Sequence, residues 1–184
     1  MIVHTIGHST RTTGELVDLL RSAGVDLVAD VRRFPRSRRH PHFNIEALGP
    51  ALDGEGIGYR HLPALGGRRD AAAAKAVSHN TLWREAAFRA YSDYAETAEF
   101  QAGFEALLDL ARQHRVAVMC AEAVWWRCHR RIVADYLLAQ GIEVRHILAP
   151  GKIEPASLTP GAVVEGEGRL SYRGPEEGPQ LPGI

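Results

Sequence analysis

Within one short segment, Cys120-Ala-Glu122 and Cys128-His129-Arg130, the chain sets two thiols, a carboxylate, an imidazole and a guanidinium. A carboxylate such as Glu122 can act as general base or nucleophile, or can grip a hydroxyl-bearing or cationic ligand. The other reading of Glu122 is an ion pair with Arg130 or Arg32 that holds the loop rigid. Cys128 stands where a helix is expected to begin, and unpaired N–H groups with a positive dipole end there favour an anion and lower the pKa of a nearby thiol. It reads as a nucleophile or redox thiol, or as a small buried residue packed under the loop. Cys120 closes the preceding apolar run and reads more readily as core.

The second concentration of chemistry is basic. Arg32, Arg33, Arg36, Arg38 and Arg39 follow Asp30 with no carboxylate among them, inside a chain whose formal net charge is zero. Such a cluster repels itself unless an anion or distant carboxylates answer it, and the planar guanidinium fork suits phosphate. Asp30 is either a catalytic carboxylate or the group that orients Arg32. His8 and Ser9 end the first apolar run, and Gly66-Gly67 form a turn ahead of further arginines. Cys120, Glu122, Cys128 and His129 lack the paired short spacings of a structural zinc site, so no metal is expected, and nothing asks for a cofactor. The segment also departs from a cysteine-phosphatase loop, because Glu122, Trp125 and Trp126 replace the small neutral residues of a phosphate cradle. The two tryptophans read as loop anchors or, less directly, as stacking platforms for a base.

These residues need a frame, and the apolar pattern supplies one. Short strands are predicted at Ile2 to Ile6, Val25 to Val31, Ile57 to Leu62, Val116 to Cys120 and Glu143 to Leu148. Helices are predicted after Thr13 as N-cap, after Asn44, as a pair over Arg84 to Arg112, and from Arg130 to Gln140, ended by Gly141. The alanine-rich stretch Leu65 to Asn80 reads as a loop or an irregular helix. This alternation predicts an α/β, Rossmann-like, mainly parallel sheet with helices on both faces and one core. The expected organisation is an α/β domain over 1–150 and a Gly/Pro-rich tail over 151–184. That tail carries a short hairpin, Ala162-Val-Val164 with Arg169 to Tyr172, packed on the same domain. In such sheets ligands bind beyond the carboxyl ends of the strands, which is where His8, Asp30, the Gly66 turn and Cys120 to Glu122 all fall.

Thr5-Ile-Gly-His-Ser9, Asp30-Val-Arg32 with Phe34-Pro-Arg36-Ser37-Arg38, Leu65-Gly-Gly67, and Met119-Cys-Ala-Glu122 with Cys128-His-Arg130 together resemble the family called domain of unknown function 488. The resemblance runs over roughly Ile2 to Leu148. It implies an α/β class and importance for these motif residues, and it leaves the reaction open. The residues themselves point to an enzyme, a hydrolase or transferase, acting on a phosphate-bearing substrate such as a nucleotide or nucleic acid. In that reading Glu122, Cys128 and Asp30 are the catalytic candidates. Substrate is bound by His8, Ser9, Arg32, Arg36, Ser37, Arg38, Gly66, Gly67, Cys120, His129 and Arg130. A bound anion is expected at the amino end of the Cys128 to Gln140 helix, touching arginine from the Asp30-Val-Arg32 side. Two other readings stay open: a non-catalytic nucleotide- or nucleic-acid-binding module, and a redox or metal protein built on its cysteines. With no secretory signal and no run long enough to span a bilayer, a cytoplasmic location without membrane contact is expected.

Overall fold

The computed structural model describes residues 1–68 and 78–174. Most of the alanine-rich stretch, residues 69–77, lies outside them, as does the end of the tail. In chain order the sheet elements and helices are β1 (Ile2–Gly7), α1 (Thr13–Ser22), β2 (Leu27–Asp30), α2 (Ile45–Asp53), β3 (Gly58–His61), α3 (Ala86–Ala95), α4 (Ala98–Gln113), β4 (Val116–Cys120), α5 (Arg130–Ala139), β5 (Glu143–Ala149) and β6 (Lys152–Pro155). Six strands form one sheet in the order β3-β2-β4-β1-β5-β6, parallel except for the β5–β6 pair. The expected α/β, mainly parallel, Rossmann-like single domain is what the chain adopts.

Why the sheet is covered on both sides follows from the period of two along its strands. Val116, Val118 and Cys120 of β4 face one core with Val3, Ala29 and the inner sides of α3, α4 and α5. Ala117 and Met119 face the other, with Ile6, Val28 and the leucines of α1 and α2. Every residue of β4 is buried, as a strand between two helical layers requires. No helix among the described residues is long and apolar enough to cross a membrane.

Two helix starts differ in detail from the sequence expectation. Helix α1 is capped by Thr12, not Thr13: the Thr12 hydroxyl accepts from the Glu15 N–H, and the Glu15 carboxylate accepts from the Thr12 N–H. Asn44 does occupy the cap position of α2, but its side chain turns to the arginine loop and accepts from the Ser37 N–H at 2.6 Å. β6 was not expected; it lies antiparallel on β5 at the sheet edge. The predicted hairpin is present as β7 (Ala162–Val164) and β8 (Leu170–Tyr172). Tyr172 ties it down, its hydroxyl donating to Asp135 at 2.9 Å and its backbone N–H to Asn80 at 2.9 Å.

Register decides what meets at the carboxyl edge. Gly7 pairs with Cys120 across β1 and β4, Asp30 with Met119 across β2 and β4, and Asp30 with His61 across β2 and β3. The chain leaves β1 and β2 for α1 and α2 on one face, whereas it leaves β4 for α5 on the other. The loops therefore splay apart around the end of β4, which opens a crevice there.

Candidate functional site

The crevice is a cavity of about 930 Å³. His8 and Ser9 enter from β1, Arg32, Arg36 and Ser37 from β2, Gly67 from the turn after β3, and Cys120, Glu122, Cys128 and His129 from β4. Asp30, Arg38, Gly66 and Arg130 do not line it. Arg33, Phe34, Arg39, Arg68, Tyr91 and Arg127 do, and no pattern in the chain singles them out. Trp125 turns away and stacks on His146, with ring centroids 4.4 Å apart, as a loop anchor.

Asp30 stands behind the wall, fully buried. Its carboxylate accepts from the Arg32 backbone N–H at 3.0 Å, from Arg32 Nε at 2.9 and 3.1 Å, and from the Tyr59 hydroxyl at 2.6 Å. Both oxygens are thus engaged, and Asp30 is a positioning residue for Arg32. The guanidinium of Arg32 continues to His8, its Nη1 3.2 Å from Nε2. Because Arg32 can only donate, Nε2 must accept and the His8 proton sits on Nδ1, 3.0 Å from the Ser9 carbonyl. Ser9 itself has φ +53°, a left-handed conformation that a non-glycine residue seldom adopts.

Two imidazoles are held neutral here. Burial, with the charge of Arg32, lowers the His8 pKa to about 4, and burial, with Arg130, lowers that of His146 to about 4. An unfolded chain would protonate both near pH 6.5, so between that value and about 4 only the unfolded state takes up protons. Stability is therefore expected to be full above about pH 6.5 and to fall by on the order of 2 kcal/mol per histidine as pH drops to about 4. Urea midpoints measured across this range check the sign. A His8→Asn, His146→Asn protein should lose most of the slope.

The sulfur atoms of Cys120 and Cys128 lie 2.6 Å apart, both buried. Arg130 is 1% exposed, donates from Nη1 to the Cys120 sulfur at 3.3 Å and from Nη2 to the Ala123 carbonyl at 3.0 Å, and leaves Nε without a partner among the described residues. It forms no ion pair with a described carboxylate. Burial alone would push the Cys120 thiol up, but the hydrogen bond with Cys128 and the charge of Arg130 bring it below the ordinary value. Burial and the neighbouring Cys120 push Cys128 up. The place of Cys128 at the helix start suggested the reverse assignment. The charge and backbone N–H of Arg130 act in the opposite sense and do not outweigh burial.

His129 donates from Nε2 to the Val31 carbonyl at 3.1 Å, which leaves Nδ1 as an acceptor 3.5 Å from the Cys128 sulfur. Gly67 packs on this ring, since a Cβ at that position would lie 2.7 Å from His129 Nδ1.

Glu122 is exposed to the cavity and makes no ion pair with any described residue, so neither Arg32 nor Arg130 answers it. Among the cavity arginines, Arg36 reaches Glu46 at 2.9 Å in an exposed, screened pair. Arg39, Arg68 and Arg127 have no such partner among the described residues and are exposed.

No curated protein and no solved structure matches the chain. The family model described as Domain of unknown function DUF488 matches residues 12–137, a span that holds the arginine loop, the Gly66-Gly67 turn and the segment from Cys120 to Arg130. Covering most of the 184 residues, this match places the chain in the DUF488 family.

Proposed function

We propose that the chain is an enzyme acting on a phosphate-bearing substrate, a nucleotide or a nucleic acid, in the cavity at the carboxyl ends of β1, β2 and β4. The observation that carries this reading is the Glu122 carboxylate, without an ion-pair partner among the described residues, standing in a cavity whose rim holds Arg33, Arg39, Arg68 and Arg127. A carboxylate kept apart from abundant guanidiniums is available for proton transfer, while the guanidiniums draw in an anion. Phe34 supports a base-bearing substrate: it is 64% exposed at the same rim, with the Arg33 guanidinium 5.4 Å from its ring centroid. An exposed aromatic beside arginine is a stacking platform for a nucleobase.

Glu122→Gln tests it directly. Wild type and variant are incubated with mixtures of nucleotides and short oligonucleotides, and products are read by mass spectrometry. The variant is expected to lose about 10²–10⁴-fold in turnover while binding the substrate at least as tightly, because a charge that repels phosphate is gone. Equal turnover by both proteins removes Glu122 from the chemistry. Salt-sensitive binding with no product from either protein would favour a non-catalytic binding module.

A further inference from the structure

We propose that Cys120 and Cys128 form a dithiol–disulfide couple at the floor of the cavity, oxidised by exchange with a low-molecular-weight disulfide of the glutathione type. This goes beyond the phosphate reading and does not depend on it.

Three observations carry it. The two sulfurs lie 2.6 Å apart, close to the bonding separation of about 2.0 Å, so closing the bond needs little movement. Both cysteines border the cavity, 1% and 4% exposed, so a small reagent that enters it stands against the pair. The third is Arg130, a buried guanidinium that has neither a carboxylate partner nor a partner for Nε among the described residues, and that lies 3.3 Å from the Cys120 sulfur. A buried charge requires an opposite one. A Cys120 thiolate supplies it, and a thiolate is the attacking form in exchange. The lowered pKa of Cys120 and the raised one of Cys128 divide the roles in the same way.

The steps balance. The Cys120 thiolate attacks one sulfur of R–S–S–R, the S–S bond breaks, and RS⁻ leaves with the bonding pair. The Cys128 thiol gives its proton to His129 Nδ1, 3.5 Å away, and its sulfur attacks Cys120 Sγ in the mixed disulfide. A second RS⁻ departs. The cysteines are oxidised by two electrons and the small disulfide is reduced to two small thiols. These take up the proton passed through His129 and one from solvent as far as their own pKa values require.

The test uses the full chain, equilibrated without oxygen in glutathione buffers from fully reduced to fully oxidised, quenched in acid, alkylated and mapped by peptide mass spectrometry. Wild type is expected to accumulate a Cys120–Cys128 disulfide, with no lasting glutathione adduct. Cys128→Ser is expected to trap glutathione on Cys120 at least about tenfold faster than Cys120→Ser acquires it on Cys128. Should either serine variant fail to fold, the wild-type map decides alone. Two alkylatable thiols in fully oxidised glutathione overturn the proposal, as does equal or faster capture at Cys128. Phosphate binding enters none of these readouts, so the two proposals fail separately.

Discussion

Replacing Asp30 with alanine is expected to lower the free energy of unfolding by about 3–5 kcal/mol, the usual consequence of stripping one partner from a buried charge pair. Asp30 is completely buried at the end of β2 and accepts from the Arg32 backbone, the Arg32 guanidinium and the Tyr59 hydroxyl at once. Without the carboxylate, the guanidinium of Arg32, 8% exposed, has no counter-charge among the described residues, and the donor it offers to His8 Nε2 is no longer fixed. Two losses follow together, in stability and in the shape of the cavity wall. Tyr59→Phe, which removes one hydrogen bond and leaves the ion pair, should cost only about 1 kcal/mol. Urea unfolding of both variants makes the comparison. A cost for Asp30→Ala as small as that for Tyr59→Phe would show that Arg32 finds another partner and that Asp30 does not position it.

Gly7→Ala is the other change with a large expected effect. A Cβ on Gly7 would sit 2.7 Å from Arg130 Nη1 and still nearer the Glu122 carbonyl, closer than atoms can approach. The backbone there cannot yield locally, because the chain just beyond Gly7 is bonded to the loop that Glu122 belongs to. The His8 N–H donates to the Cys120 carbonyl at 3.0 Å, and that of Ser9 to the Ala121 carbonyl at 3.0 Å. The methyl group must therefore push β1 from β4 or drive the Glu122 loop and Arg130 outward. Overpacking of this kind costs about 1–3 kcal/mol or more. The displacement falls on Cys120, Glu122 and Arg130 together, so anion binding and fast Cys120 modification should both weaken in the folded variant. A Gly7→Ala protein with wild-type stability and unchanged thiol reactivity would show that the loop is looser than this packing requires.

How much of this was open to reading in the sequence depends on the range of the interaction. His8, Glu122, Cys128 and Gly67 could be brought to one edge on paper because a parallel sheet puts every strand's carboxyl end on the same side. Strand order could not be read, since the pairing of β4 with both β1 and β2 depends on packing between distant segments. That pairing is what sets Gly7 opposite Cys120. The Thr12 cap was available, as Glu15 stands three residues on and completes a capping box. β6 was hidden because Lys152-Ile-Glu-Pro155 is short, mostly polar and ends in proline, as edge strands often are. Least legible was the division of labour between the thiols. Helix position favours Cys128, and only the fold brings the unanswered charge of Arg130 to Cys120.

In the proposed function the loops after β1, β2 and β4 act as one anion site. The check is a titration of inorganic phosphate into the isotopically labelled protein, followed by backbone amide shifts. Saturable shifts with one affinity are expected in the Arg32 to Arg39 loop, at Gly67 and Arg68, and from Ala121 to His129, weakening as salt is raised. Shifts confined to the tip from Arg36 to Arg39, with no response from Ala121 to His129, would contradict it and leave the basic loop acting alone.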